Sequence, residues 1–348
     1  MSVQAELELP ARQRLRNVAI VGATGAVGAE LIGCLERRDF PVARLKLLAS
    51  ARSAGRTLMF KGQPLVVETL AADSFDGVDI ALFSAGAAIS RQFAPLAAAA
   101  GCVVVDNSSA FRRDPAIPLV VPEVNGGLLD GRPMIVANPN CVAAIAVMAL
   151  APLHAHNPIV RVIGATYQSA SGAGAAAMEE LELSTAAYLA GEAFEPKVLP
   201  HPYAFNVFSH NTAIDPATGY NSEETKVMDE IRKLLAAPDM RVSFTCVRVP
   251  VLRAHSMALT VEFARPMLAT AATCWLAQAP GVRLVNDSEN NHFPMPSEAS
   301  GEDDVLVGRL RADASDPTGR SLTLFLAGDQ LLKGAALNAV QIAEQYAV

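Results

Sequence analysis

The chain has 348 residues, 51% of them hydrophobic and 18% charged, with a formal net charge of −7. That length exceeds the ~250–300 residues at which a single core stops growing, so two domains are expected. The acidic balance argues against sequence-independent nucleic-acid binding, and no apolar run approaches the ~20 residues of a membrane span.

Residues 1–16, MSVQAELELPARQRLR, are polar and mixed in charge and read as a flexible extension. They lack the apolar centre of a secretory signal. Asn17–Gly22, "NVAIVG", is a short β-rich run, followed by Gly22-Ala-Thr-Gly25-Ala-Val-Gly28 and then a helical pattern over Ala29–Arg38. Strand, glycine turn and helix in that order suit a dinucleotide pyrophosphate. Glycines let the backbone approach the ligand, and the helix start supplies N–H groups. Tight strand-to-helix packing is the alternative reading of the same glycines.

The next strand, Ala43–Ala49, ends about 20 residues beyond the glycines, where an NAD enzyme usually carries an acidic residue for the ribose hydroxyls. Here the stretch is Ser50-Ala51-Arg52-Ser53-Ala54-Gly55-Arg56. Hydroxyl and guanidinium groups match a 2′-phosphate, so the cofactor expected is NADP. Strands at Asp79–Ser84, Cys102–Asp106 and Met134–Ala137, with a helix at Ile89–Ala100, continue the alternation. The pattern implies a parallel sheet covered on both faces, with Ser84 and Asn107–Ser109 at its ligand-binding edge. Arg112 follows as a candidate for a substrate anion, a surface arginine being the alternative.

Asn138-Pro139-Asn140 is a turn signal that delivers Cys141 onto the start of an apolar helix. On local grounds Cys141 could be a reactive thiolate or a small packed hydrophobe. The other cysteines, Cys34, Cys102, Cys246 and Cys274, fall in apolar stretches where a buried thiol is ordinary. The odd total of five cysteines and their lack of metal-ligand spacing suggest a reduced, cytoplasmic chain without a metal site.

Beyond Pro158 the strand-like runs lengthen: Ile159–Tyr167, Arg241–Val251, Met257–Ala264, Val305–Ala312 and Ser321–Leu326. They imply an α+β domain on a mixed or antiparallel sheet, with one face free for a second subunit. Gln330–Tyr346 has helical spacing and is expected to pack back on the first domain. The division expected is therefore 17–140 for the nucleotide, 141–329 for catalysis and dimerisation, and 330–348 returning to the first domain.

Three further strings carry candidate chemistry. Thr166–Gly174, "TYQSASGAG", is a strand ending in small residues. Tyr220–Met228, "YNSEETKVM", opens a helix with Glu223 and Lys226 three apart on one face. Arg248–His255, "RVPVLRAH", puts a strand arginine and a histidine on either side of a turn. Taken one at a time, each has a structural explanation.

Together with GATGAVG, LASARSAG, DNSSAFR, NPNC, AFNVFSHN and DQLLKGAALNAVQIAE, these strings resemble the aspartate-semialdehyde dehydrogenases over most of the chain. The resemblance implies a Rossmann-like NADP-binding domain joined to an α+β catalytic and dimerisation domain. It implies the reversible, phosphate-dependent interconversion of L-aspartate semialdehyde and L-aspartyl 4-phosphate, an early step toward lysine, threonine and methionine. It implies a homodimer and leaves a tetramer open.

Residue by residue, the resemblance makes Cys141 the nucleophile, His255 the general acid/base and Gln168 the group that positions the reacting centre. Arg248 would hold the substrate carboxylate and Glu223 its ammonium. Arg112, Asn140 and Lys226 would hold the phosphate. Gly22, Thr24, Gly25, Ala26, Val27 and Gly28 would cradle the cofactor phosphates, with Ser50, Arg52 and Ser53 on the 2′-phosphate. Ser84, Ser169, Gly172 and Asn338 would complete the cofactor site. The chemistry is coherent. A helix N-terminus lowers a thiol pKa and offers donors to an oxyanion, and a neutral histidine can take the thiol proton and later return one.

Two stretches depart from the family pattern. Val142-Ala143-Ala144 follows the cysteine where a hydroxyl residue and polar groups are usual, and Gly86-Ala87-Ala88 stands where Gly-Gly is usual. A non-catalytic paralogue is the rival reading, but it would be expected to lose Cys141, Gln168 or His255. Reductases of other acyl phosphates are a second rival, weakened by Glu223, which would have no ammonium to bind.

Overall fold

The computed structural model describes residues 14–347, so residues 1–13 of the expected extension lie outside the described residues. The first half forms a seven-stranded sheet in the order β3-β4-β2-β1-β5-β6-β7. Its strands are β1 (Arg16–Val21), β2 (Val42–Ala49), β3 (Thr57–Phe60), β4 (Gln63–Thr69), β5 (Ile80–Phe83), β6 (Val103–Asp106) and β7 (Ile135–Ala137). All pair in parallel except β3, which runs antiparallel to β4. The expected all-parallel sheet thus acquires a hairpin edge, turned at Lys61 (φ 48°) and Gly62 (φ 74°). The central strands are buried from Val18 to Val21 in β1 and throughout β5, as a sheet covered on both faces requires.

The second half forms another seven-stranded sheet, ordered β12-β13-β14-β11-β8-β10-β9. Its strands are β8 (Ile159–Gln168), β9 (Phe208–Ser209), β10 (Arg241–Arg248), β11 (His255–Phe263), β12 (Val282–Leu284), β13 (Val305–Ala312) and β14 (Ser321–Gly328). Pairing is mixed: β8–β10 is parallel, while β8–β11 and β11–β14 are antiparallel. One face carries Val162, Phe244, Met257, Leu259 and Leu324 into the core shared with the helix Cys141–His156. The other face leaves Ile163 44% and Tyr167 38% exposed, with Phe325 stacked obliquely on Tyr167.

The helix Cys141–His156 is apolar all round, and Val142 through Leu150 are all buried. Such a helix belongs in an interior, not on a surface. This accounts for Val142-Ala143-Ala144: each is 0% exposed within the core, where a hydroxyl would need a partner. Ala87 and Ala88, the other departure, open the helix Ala87–Ala99, with Ala88 facing solvent.

The single helix expected over 330–346 is two segments: a wide π-helical turn at Leu332–Ala336, then the helix Leu337–Glu344. Gly334 N–H reaches Asp329 O at 3.1 Å and Ala336 N–H reaches Leu331 O at 2.9 Å, each five residues back. These segments share a core with Val18, Ile20, Leu31 and Leu35. No described helix is long and apolar enough to cross a membrane.

Candidate active site

Strand ends converge on one edge of the second sheet. Parallel pairing of β8 with β10 sets Gln168 opposite Arg248, and β11 begins at His255 beside Gly328, the last residue of β14. Asn140 caps the helix whose first residue is Cys141. Its Oδ1 accepts N–H bonds from Val142 at 2.9 Å and Ala143 at 3.4 Å, and its Nδ2 donates to Glu223 at 2.8 Å. The backbone donors expected to await an oxyanion are therefore capped by Asn140 in this state.

Cys141 is partly exposed, and its environment opposes ionisation. Burial pushes the thiol up to about 12, and the Glu223 carboxylate adds to the rise, while Arg112, the Val142 N–H and Arg248 pull the other way. The expected lowering by the helix terminus is outweighed by desolvation and a nearby negative charge. Gly334 backs directly onto Cys141: a Cβ there would lie 2.8 Å from Cys141 Cβ. Of the remaining cysteines, Cys34, Cys102 and Cys246 are buried as expected, whereas Cys274 is exposed.

Glu223 is the hub of the charged cluster. It is 6% exposed, accepts from Asn140 and more distantly from Gln168 Nε2 at 3.5 Å, and sits 3.7 Å from Lys226 Nζ. Burial disfavours its charge, yet the Asn140 amide and the cations Lys226 and Arg112 hold the carboxyl below its ordinary value. Arg248, 4% exposed, donates to Asn211 Oδ1 at 3.1 Å and Ser169 O at 3.3 Å, and lies 3.0 Å from His210 Nε2. A guanidinium only donates, so His210 Nε2 must accept and the ring is neutral. Burial leads in pushing His210 down to about 4, with Arg248 and Lys226 helping against Glu223.

Arg112 is held in place by donation to Asn138 O at 2.8 Å and Asn107 O at 2.6 Å, with Glu230 3.5 Å from its Nη1. Glu230 also accepts the Asn140 backbone N–H at 2.5 Å, so one carboxylate anchors both Arg112 and the residue before Cys141. Burial raises its pKa against the opposing pull of Arg112. Sequence reading missed Glu230 and His210. Glu230 had a usable signal, since it lies seven residues after Glu223 and therefore on the same helix face.

His255 is 0% exposed and lies well below an ordinary histidine, through burial first and then the Arg248 charge. Its Nδ1 accepts the Ser169 backbone N–H at 3.1 Å and lies 3.0 Å from Ser169 Oγ, while Nε2 has no partner. Gly172 flanks the ring, where a Cβ would come within 2.9 Å of His255 Cε1.

A cavity of about 400 Å³ runs along the first sheet's edge, lined by Gly22, Thr24, Gly25, Ser50, Arg52, Ser53 and Ser84. A second, of about 300 Å³, shares Gly25 and Ser84 and continues past Ala26 and Val27 to Arg112, Cys141 and Gly172. Gly22 takes φ 91°, and a Cβ there would meet the Ser84 carbonyl carbon at 2.9 Å. Gly28 serves packing instead, since its Cβ would lie 2.3 Å from Gly22 O. Ala87 and Ala88 line neither cavity, nor does Asn338. The Asn338 amide donates to Val120 O and Asn138 Oδ1, which puts it behind the wall and not at the surface of the cleft.

Family models match both halves: "Semialdehyde dehydrogenase, NAD binding domain" over residues 17–131 and "Semialdehyde dehydrogenase, dimerisation domain" over 150–333. The chain is 54% identical to the aspartate-semialdehyde dehydrogenase of Synechocystis sp. across 94% of its own length and 96% of that protein. It is 47% identical to the enzyme of the same name from Prochlorococcus marinus, over 97% and 98% of the two chains. The crystal structure of aspartate semialdehyde dehydrogenase II from Vibrio cholerae superposes with a TM-score of 0.91 at 42% identity, covering 95% and 98%. A second structure of that protein is complexed with ASA.

Proposed function

The chain belongs to the aspartate-semialdehyde dehydrogenases, and we propose that it reduces L-aspartyl 4-phosphate to L-aspartate semialdehyde, reversibly, through a thioester on Cys141. The observation that carries this reading is the continuous cleft from Arg52, past the glycine turn, to Cys141.

The dinucleotide fits the residues present. Gly22 leaves no room for a side chain against Ser84, and the strand end beyond the glycine turn carries Arg52 between Ser50 and Ser53 without a carboxylate. That chemistry suits a 2′-phosphate, so NADP is the proposed cofactor. Bound NADPH supplies the hydride; the protein supplies the rest.

The substrate is a zwitterion with a phosphoryl group, and the site offers matching charges. Arg248 takes the carboxylate, Glu223 the ammonium, and Arg112 with Lys226 the phosphate. Glu223 has a second consequence. Its negative charge opposes the thiolate in the unliganded enzyme, so a substrate ammonium beside it would ease ionisation of Cys141 at the moment it is needed. The thiolate attacks the acyl carbon, phosphate leaves, and Gln168 and His255 orient the reacting group.

The exposed face bearing Ile163, Tyr167 and Phe325 is the proposed homodimer interface, and the reducing cytoplasm the proposed compartment. The test is NADPH formation from L-aspartate semialdehyde and phosphate by purified protein. Turnover that survives Cys141→Ala would sink the nucleophile assignment.

A further inference from the structure

Four buried polar side chains connect the C-terminal segment to the imidazole of His255. Gln330, Ser171, Ser169 and His255 are 2%, 2%, 0% and 0% exposed. The chain of contacts has a fixed direction, because it begins and ends at backbone N–H groups that can only donate.

At one end the Ala254 N–H donates to Gln330 Oε1 at 2.9 Å. Ala254 has φ 69°, a left-handed backbone that alanine rarely adopts, and this conformation accompanies the contact. With its oxygen so occupied, the Gln330 amide presents Nε2 to Ser171 Oγ and must donate there. Ser171 then has its own hydrogen free for Ser169 Oγ at 3.0 Å, and Ser169 in turn has its hydrogen free for His255 Nδ1 at 3.0 Å. At the other end, the Ser169 backbone N–H donates to the same Nδ1 at 3.1 Å. A nitrogen that accepts carries no proton in a neutral imidazole, so the hydrogen sits on Nε2.

Gln330 is itself held rigidly. The preceding Asp329 accepts N–H bonds from Leu331 at 2.9 Å and Leu332 at 3.3 Å, and takes Arg253 Nε at 2.6 Å and Gly301 N–H at 2.7 Å. Arg253 precedes Ala254, so both ends of the Gln330–Ala254 contact are anchored to one carboxylate.

We propose that Gln330 is a positioning residue that, acting through Ser171 and Ser169 and alongside the Ser169 backbone N–H, holds the tautomer of His255, so that the ring meets its substrate as an Nε2–H donor. The unpartnered Nε2–H then awaits the substrate oxygen on which negative charge develops. A neutral imidazole in that role polarises a carbonyl without first having to gain a proton. Action of Nε2 as a base follows only once the hydroxyl chain has reversed and Nδ1 has left the Ser169 N–H to take a proton itself. This consequence rests on the catalytic role given to His255 above; the tautomer itself does not.

The test is nitrogen-15 NMR of the histidine-labelled, unliganded full-length protein, with the His255 signals assigned by their loss in His255→Asn. The wild-type ring should show the Nε2–H pattern. In Gln330→Glu both side-chain oxygens accept, which turns the Ser171 and Ser169 hydroxyls around, so that only the Ser169 N–H still opposes a proton on Nδ1 and the Nδ1–H form should grow. Adding Ser171→Ala cuts the relay, so the double variant should return to Nε2–H. kcat of Gln330→Glu should fall tenfold or more, with KM for aspartate semialdehyde moving less than about threefold. A wild-type Nδ1–H ring overturns the proposal. So does an unchanged ring in Gln330→Glu, or a shift that persists without the Ser171 hydroxyl. Because the spectra need no turnover, a protein inactive on aspartate semialdehyde but with these spectra would refute the proposed function alone.

Discussion

Replacing Gly334 by alanine tests how tightly Cys141, the proposed nucleophile, is held. The added Cβ would lie 2.8 Å from Cys141 Cβ and 3.2 Å from Cys141 Cα, with Gln330 Cβ at 3.3 Å. Carbon atoms pack at about 3.5 Å or more, so the closest pair must separate by roughly 0.7 Å. Gly334 has no left-handed φ to relieve, and alanine in a helical turn gains up to about 1 kcal/mol. Overpacking a well-filled interior costs about 1–3 kcal/mol, so net destabilisation should be about 0–2 kcal/mol. The kinetic effect should be larger. A displacement approaching 1 Å at an attacking atom costs about tenfold to a hundredfold in rate. Steady-state kcat, thiol alkylation of Cys141 and a thermal melt on one preparation separate the two effects. A folded variant with wild-type kcat would refute the claim that this contact places the nucleophile.

Four other outcomes follow from the same geometry. Arg52→Ala should reduce the preference for NADP over NAD, read from the ratio of kcat/KM values; an unchanged ratio would rule out Arg52 as the 2′-phosphate ligand. Val142→Thr, nearly isosteric, buries a hydroxyl in the core and should cost about 1–2 kcal/mol in denaturant melts while kcat stays within about twofold. Glu230→Ala strands Arg112 and the Asn140 N–H and should cost about 3–5 kcal/mol, with KM for phosphate rising in whatever protein folds. His210 makes stability depend on acidity. Its folded pKa of about 4 lies below the ordinary 6.5, so the unfolded chain binds more protons between those values and stability falls as pH drops through that window. The full effect is on the order of 3 kcal/mol by pH 4, and His210→Gln should flatten it in pH-dependent melts.

Much of this fold was legible because its signals are local and periodic. The glycine turn after β1, the alternation to β7 and the longer strands beyond Pro158 all follow from spacing and composition. What escaped depended on tertiary contact. The hairpin edge at β3 and β4 is short and half exposed, so it carries little periodicity. The widening at Leu332–Ala336 falls where Gly334 lies against Cys141, a contact that no helical pattern encodes.

The candidate site divides in the same way. Cys141, Gln168, Arg248 and His255 stood in recognisable strings at strand or helix ends, where side chains can converge. Their partners were harder to see. Asn140 read as a phosphate ligand, but its amide is already committed to the helix cap and Glu223. The thiol pKa could not be inferred from the helix start alone, because the opposing charge of Glu223 arrives from a helix 80 residues on. Likewise the apolar trio after Cys141 looked anomalous beside a reactive residue, and is ordinary once the helix is seen to be buried on every side.

The central claim is the thioester on Cys141, and omission of phosphate tests it most directly. With aspartate semialdehyde and NADP alone, the enzyme should acylate Cys141 and stop, giving a burst of NADPH equal to the sites present. An acyl adduct on the Cys141 peptide should then be released by added phosphate. A burst without an adduct on that peptide, or no burst from protein that turns over when phosphate is supplied, would contradict the account.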